Sequence, residues 1–245
     1  MRRYFAGRWE DVSRDPPDEV SLCLVVNGND LVTIQCSPGG FEDLGPGFLY
    51  TNGVIDSIDE ITSMRIADDN SSLFIDLCKT EIPEPSRLVI TSGFGGGPVF
   101  TAEPTVSDVK SGFSISPEKL VGLMTEMKSR AVRYKKNGGI HATALCSGSD
   151  IVCMAEDVGR QNSMDKVIGR CLGMRTVLHD KVLLTTGRVS FEMVMKTMRA
   201  GIPVLASLSA PTAKAVELAS RCGVAVAGYV ADDEFVAYSR EDRFT

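Results

Sequence analysis

The chain has 245 residues, 43% hydrophobic and 24% charged, with a formal net charge of −6. These values fit a globular chain with a genuine core, in one large domain or two small ones, and its scattered basic residues argue against nucleic acid as a partner. No run approaches the ~18 apolar residues of a membrane span, so no membrane association is expected. The first twenty residues, MRRYFAGRWEDVSRDPPDEV, hold no signal-peptide core, and seven cysteines lack any C-x-x-C spacing. A cytoplasmic protein with reduced thiols is expected.

Residues 20–92 read as β-rich. "VSLCLVV" and "LVTIQC" are joined by "NGND", and Asn27-Gly28 is a strong hairpin signal. "FEDLGPGFLYTNG" reads as a short helix interrupted at Pro46. "ITSMRIAD", "LFIDLCKT" and "RLVITS" then resemble successive strands. The loop TSGFGGGPVF follows, with four glycines in five positions. It lacks the Gly-Lys-Ser/Thr of a phosphate-binding P-loop, and Pro98 stands where the dinucleotide fingerprint needs its last glycine. By motif alone it is a turn.

A helical regime begins at Ser116, a capping residue followed by Pro117 and Glu118. Leu120, Leu123, Met124, Met127, Ala131 and Tyr134 recur at helical spacing, and Lys135, Lys136, Asn137 and Gly138 supply a basic last turn and a stop. This predicts one helix opening a second domain, so the expected division is 1–115, β-rich, and 116–245, α/β. "HATALCS" and "DIVCMAE" read as a strand pair turned at Gly148-Ser149-Asp150. Helix "NSMDKVIGRCL", strand "KVLLTT", helix "SFEMVMKTMRAG", strand "PVLASLS", helix "PTAKAVELASRCG" and strand "VAVAGYV" follow. Helical crossovers of this length imply a mainly parallel sheet with an antiparallel first pair, a mixed sheet with ligands at the carboxyl ends of its strands.

Three of those ends carry small residues and charges. The first is Glu156-Asp157-Val158-Gly159-Arg160-Gln161-Asn162, ahead of Asp165 and Lys166. The second is Thr186-Gly187-Arg188-Val189-Ser190, ahead of Glu192 and Lys196, and the third is Ser207-Leu208-Ser209-Ala210-Pro211-Thr212. Backbone N–H groups at such helix starts face oxyanions, and Arg160 and Arg188 suit bidentate pairing. The plainer alternative has Asn162 and Ser190 as helix caps and the charges solvated. Three similar junctions in one sheet favour a ligand site. His141, after Gly138-Gly139-Ile140, reads as a turn histidine. The order of elements also resembles the cytidine deaminase fold, but the helix starts "GRQNSMD" and "GRVSFEM" lack the Cys and His of its zinc site. No zinc is expected.

"GGIHATAL", "EDVGRQNSMDKVIG", "GRVSFEMVMK" and "ASLSAPTAKAVELA", with the earlier "VVNGNDLVTIQCSPGGFEDLGPGFLYTNGVI", closely resemble the formate dehydrogenase accessory sulfurtransferase family, FdhD/NarQ. The resemblance covers the chain from about residue 19 to 238. It implies a β-rich N-terminal domain followed by a cytidine deaminase-like three-layer α/β/α domain without zinc, and a cytoplasmic homodimer. It implies sulfur taken from a cysteine desulfurase as a cysteine persulfide and passed to molybdenum cofactor, bound as bis-molybdopterin guanine dinucleotide, before insertion into formate dehydrogenase. The matching positions are His141, Glu156, Asp157, Gly159, Arg160, Asn162, Asp165, Lys166, Gly187, Arg188, Ser190, Glu192, Lys196, Ser209 and Ala210. Arg160, Arg188 and nearby glycine N–H groups are assigned to the cofactor pyrophosphate. Asp157 accepts from guanine N–H groups or orients Arg160.

The departures are specific. Phe94 and Gly97 stand where the family carries the persulfide cysteine and a second cysteine, and phenylalanine cannot hold sulfur because that step needs a thiolate. Gln161 replaces a usual histidine. Tyr229, Phe235 and Tyr238 keep the aromatic character of a family cofactor-binding loop, while Asp232, Asp233 and Glu234 make it acidic. Two readings follow: a sulfur carrier that uses another cysteine, for which Cys146 and Cys153 in the strand pair are the candidates although a buried apolar cysteine is the plainer reading of each, or a cofactor-holding chaperone that no longer moves sulfur. A nucleotide-active enzyme of the deaminase type is remote.

Overall fold

In a computed structural model, residues 1–13, 15–82, 87–89, 97–99, 108–231 and 233–245 are described. A hairpin unannounced by the sequence pattern comes first: β1 (Arg2–Phe5) pairs antiparallel with β2 (Arg8–Asp11). The expected second hairpin follows, β3 (Val20–Val26) with β4 (Asn29–Cys36). Asn27 and Gly28 take φ of 49° and 78°, the left-handed pair that a tight hairpin turn requires. The Asn27 amide also bonds Lys79 O at 2.8 Å and accepts from Leu77 N at 2.7 Å, fastening the turn to the next strand.

β5 (Ile61–Ile66) and β6 (Ser72–Leu77) complete a four-stranded sheet ordered β4-β3-β6-β5, in which β3 and β6 run parallel. α1 (Phe41–Thr51) covers it, and Leu22, Leu24, Leu44, Leu49, Leu73 and Ile75 form this half's core. The expected interruption at Pro46 does not occur, and the helix runs through it. Pro46 lies just past the first turn and forfeits a single backbone donor, a loss that buried packing on both sides offsets. β7 (Arg87–Val89) pairs with β8 (Gly97–Val99). Phe94 and its neighbouring glycines, between these strands, lie outside the described residues, as does Asp232.

The second half is three-layered. α2 (Pro117–Arg130) is capped by Ser116 with Pro117 in its first turn, as expected. The single predicted helix is in fact two, because the chain breaks at Ala131 before α3 (Val132–Asn137), which ends at the left-handed Gly138. A carboxylate from elsewhere enters at the break: Glu156 accepts the Arg133 and Tyr134 N–H groups at 3.2 and 2.7 Å. It supplies the N-terminal cap that α3 lacks locally.

β9 (His141–Ser147) and β10 (Asp150–Asp157) form the predicted antiparallel pair. The chain continues through α4 (Arg160–Gly173), β11 (Val182–Thr185), α5 (Phe191–Arg199), β12 (Val204–Ser207), α6 (Ala213–Cys222) and β13 (Ala225–Ala231). β14 (Glu234–Ser239), absent from the sequence reading, adds an antiparallel edge. The sheet is ordered β10-β9-β11-β12-β13-β14 and is mixed, with β11-β12-β13 parallel. Leu145, Leu183, Leu205 and Val226 face α4, α5 and α6, while Ala144, Leu184, Ala206 and Ala227 face α2. The segment before α2 is already fastened to this half: Val109 N bonds Cys222 O at 2.8 Å, and Ile115 N bonds Arg243 O at 2.9 Å.

α1 packs directly on α4, joining the halves. A Cβ on Gly47 would lie 1.9 Å from Asp165 O, and one on Gly169 would lie 1.9 Å from Asp43 O, so the two backbones touch. Two buried ion pairs flank this contact. Lys166 Nζ meets Asp157 Oδ2 at 2.7 Å, and Lys196 Nζ meets both Asp165 carboxylate oxygens at 2.7 Å while donating to Thr51 Oγ1 at 2.9 Å. Burial pushes the Asp165 carboxyl above its ordinary value, against the pull of Lys196 and Thr51.

Candidate functional site

The carboxyl ends of β10, β11 and β12 and the start of β9 form one rim, because His141 opens β9 opposite Asp157, the last residue of β10. Here the alternation of a strand divides the acidic pair. Glu156 points toward α3 and caps it. Asp157, fully buried, accepts from Ser37 N at 3.0 Å, Gly159 N at 2.9 Å and Asn162 Nδ2 at 3.0 Å, besides Lys166. Its acceptor capacity is spent inside the fold. These contacts give Asp157 and Glu156 internal partners: Asp157 braces Ser37, Gly159, Asn162 and Lys166, and Glu156 caps α3.

Lys166 is likewise internal, 3% exposed, and donates to Ser37 O at 3.1 Å. Asn162 sits within the first turn of α4, whose N-cap is Gly159. It is therefore not the cap: its Nδ2 ties Asp157 to Gln35 O at 2.8 Å. A Cβ on Gly159 would approach Asn162 Nδ2 to 2.6 Å, so this glycine makes room for the brace. Sequence reasoning missed Ser37 as the organiser here. It bonds Asp157 through its N–H, Lys166 through its carbonyl, and its Oγ accepts Val158 N at 3.1 Å. The small-residue run Ser37-Pro38-Gly39-Gly40 was its one local signal, and its partners lie about 120 residues on.

The groups facing outward from this brace are basic. Gly187, after β11, has no side chain because Arg160 and His141 occupy that space: an added Cβ would lie 2.8 Å from Arg160 Cβ and 3.2 Å from His141 Nδ1. Gly187 itself is held by its N–H to Thr185 Oγ1 at 3.2 Å and its carbonyl to Ser207 Oγ at 2.6 Å. Arg188 follows, exposed. Burial pushes the His141 imidazole below its ordinary 6.5, Arg160 adds to the shift, Asp157 opposes it and Arg188 adds again. Burial and then Arg188 also push the Arg160 guanidinium down, with Glu192 opposing. Burial first, then Arg160 and Arg188, thus act together on His141.

Among the described residues, Arg160 Nε and Ser190 Oγ at this rim are buried with no hydrogen-bond partner, as are Asn137 Oδ1 and Arg243 Nε elsewhere, although Ser190, 3% exposed, occupies the N-cap position of α5. The expected side-chain cap is not made. Buried polar atoms of this kind are rare unless a water, ion or ligand completes them. On the next loop Ser209 N bonds Ser207 Oγ at 2.9 Å, and Ala210 O accepts Val189 N at 3.1 Å, which draws the second and third junctions together. Tyr229, 51% exposed, holds a left-handed φ of 56° while its N–H bonds Ser209 O at 3.3 Å. Such a conformation is costly for a bulky residue and marks a constrained position. Phe235, grouped with Tyr229 by sequence, instead packs on Phe244, ring centroids 5.1 Å apart, against the α2 core.

The candidate sulfur cysteines are interior. Cys146 is buried, and burial pushes its thiol up to about 12, leaving little thiolate at neutral pH. Cys153 is buried against Cys171. Among the described residues, no group of three His, Cys, Asp or Glu side chains is placed to hold a metal ion.

The second half is a three-layer α/β unit whose glycine-lined rim, at the carboxyl ends of its strands, brings Arg160 and His141 together. The chain belongs to the FdhD/NarQ family, whose model matches residues 17–245. It is 32% identical over 247 residues to the sulfur carrier protein FdhD of Bacillus subtilis (strain 168), covering 98% of this chain and 94% of the relative. It is 30% identical over 255 residues to the protein of the same name from Listeria innocua, covering 100% and 97%. A solved structure provisionally described as a formate dehydrogenase accessory protein from Desulfotalea psychrophila superposes with a TM-score of 0.84 at 21% identity, covering 100% of this chain and 97% of that one. That likeness establishes the fold.

Proposed function

We propose that this chain serves formate dehydrogenase maturation as a sulfur carrier that holds molybdenum cofactor, as bis-molybdopterin guanine dinucleotide, at the basic rim. The observation that carries the reading is that the buried Arg160 Nε, next to His141, and the buried Ser190 Oγ, two residues after Arg188, have no hydrogen-bond partner among the described residues. Arg160, Arg188, Ser190 and the N–H groups around Gly187 would hold a pyrophosphate, a doubly charged group suited to guanidinium forks and a helix start. Tyr229 offers a ring to a base, and Ser209 and Ala210 border it. When bound, the cofactor supplies the metal chemistry, and this chain's part is to hold and orient it. Asp157, Lys166, Asn162 and Gly159 support the rim from behind. A cytoplasmic homodimer working with a cysteine desulfurase completes the proposal. No helix among the described residues is long and apolar enough to cross a membrane.

A second reading has a specific observation behind it: a cofactor-holding chaperone that no longer moves sulfur, because Phe94 and Gly97 replace the family cysteines. Incubation with a cysteine desulfurase and cysteine, followed by mass mapping of persulfides, separates the two. A stable persulfide on any cysteine supports the carrier. Its absence from a protein that binds guanine nucleotide leaves the chaperone.

A further inference from the structure

Cys153, near the middle of β10, and Cys171, near the end of α4, place their sulfurs 3.2 Å apart. No other two cysteines among the described residues hydrogen-bond through their sulfurs. Cys171 is fully buried, and Cys153 keeps 8% of its surface. Both lie on the strand and helix whose junction, 157–160, builds the back of the rim.

We propose that Cys153 and Cys171 are an oxidation site: a thiol pair that hydrogen peroxide converts to a disulfide, cross-linking β10 to α4. The Cys153 thiolate attacks one peroxide oxygen. The O–O bond breaks, Cys153 becomes a sulfenic acid, and the departing hydroxide takes up the proton released by the thiol to leave as water. The Cys171 sulfur then attacks the sulfenic sulfur, the S–O bond breaks, the S–S bond forms, and the second hydroxide leaves as water with the Cys171 proton. Two thiols lose two electrons and peroxide gains them. The sulfurs need close only from 3.2 Å to about 2.05 Å to form the bond.

The two thiols are not equivalent. The contact with Cys171 and the nearby charge of Arg170 lower the Cys153 thiol, against its burial, whereas that contact and burial raise Cys171. Cys153, 8% exposed against 0% for Cys171, is therefore the attacking sulfur and Cys171 the resolving one. Arg170 is fixed by two bonds to Asp43 Oδ2, at 2.9 and 2.7 Å, and one to Met154 O at 3.2 Å.

The test uses the reduced full chain treated with hydrogen peroxide, alkylated after denaturation and mapped by mass spectrometry without reductant. The expected result is a Cys153–Cys171 linked peptide pair that dithiothreitol abolishes, with a higher melting temperature for the oxidised protein than for the reduced one. In Cys171→Ser, Cys153 should stop at a sulfenic acid trapped by dimedone, and in Cys153→Ser neither product should form. Full alkylation of both cysteines in the treated wild-type chain, or a cross-link that joins either one elsewhere, would overturn the proposal. The wild-type measurement decides it even where a variant folds poorly.

Discussion

Gly187 shows how one position can assemble a site without touching a ligand. A methyl group there would press on Arg160 and His141, so Gly187→Ala should weaken guanine-nucleotide binding by pushing both aside. His141 supplies a pH readout. Its folded pKa lies below the unfolded value, so the unfolded chain binds the proton first as pH falls. Stability is therefore lost as pH drops from about 6.5 toward the folded value, and is unchanged by this group above that window. A pyrophosphate beside Arg160 and Arg188 should reverse the shift, raising the His141 pKa in an NMR titration with GDP. An unmoved His141 resonance in a protein that binds GDP would place the ligand elsewhere. At this scale the sequence was only partly legible. "EDVGR" announced itself as special, yet Glu156 and Asp157 diverge because strand alternation sends them to opposite faces. Their partners, Tyr134 and Ser37, are 22 and 120 residues away.

Between elements, the decisive contact is the α1–α4 crossing. The atoms that an added methyl would strike at Gly47 and Gly169 are backbone carbonyls, which cannot rotate away. Gly47→Ala or Gly169→Ala should therefore cost about 3 kcal/mol or more, the upper end of overpacking penalties, read as a lowered urea midpoint. Asp157→Asn tests the neighbouring brace. It leaves the Lys166 ammonium, 3% exposed, without its counter-charge, a change expected to cost about 3–5 kcal/mol. A near-wild-type midpoint would mean that Lys166 finds another partner. Most elements of the second half could be read from helical and strand periodicity. The break at Ala131 could not, since Glu156, the group that caps α3, is supplied from another strand.

Across the whole molecule, the four- and six-stranded sheets are joined through α1 and α4, and the rim stands at the carboxyl ends of strands in the larger sheet, beside the start of α4. The α/β regime of the second half and the β-rich first half were legible because hydrophobic period reports secondary structure directly. The first hairpin and β14 were not. Arg2–Phe5 and Arg8–Asp11 bury almost nothing, and β14 has only a partly buried alternation, so neither carries a clear period. The basic character of the rim was legible as residues and illegible as geometry, because Arg160, Arg188 and His141 come from three separate junctions. Calorimetric titration of GDP into the wild-type chain and into Arg188→Ala tests the account most directly. Loss of charge-assisted bonds worth roughly 1.5–3 kcal/mol predicts a ~10- to 100-fold weaker Kd in the variant. Equal affinities in the two proteins would contradict it.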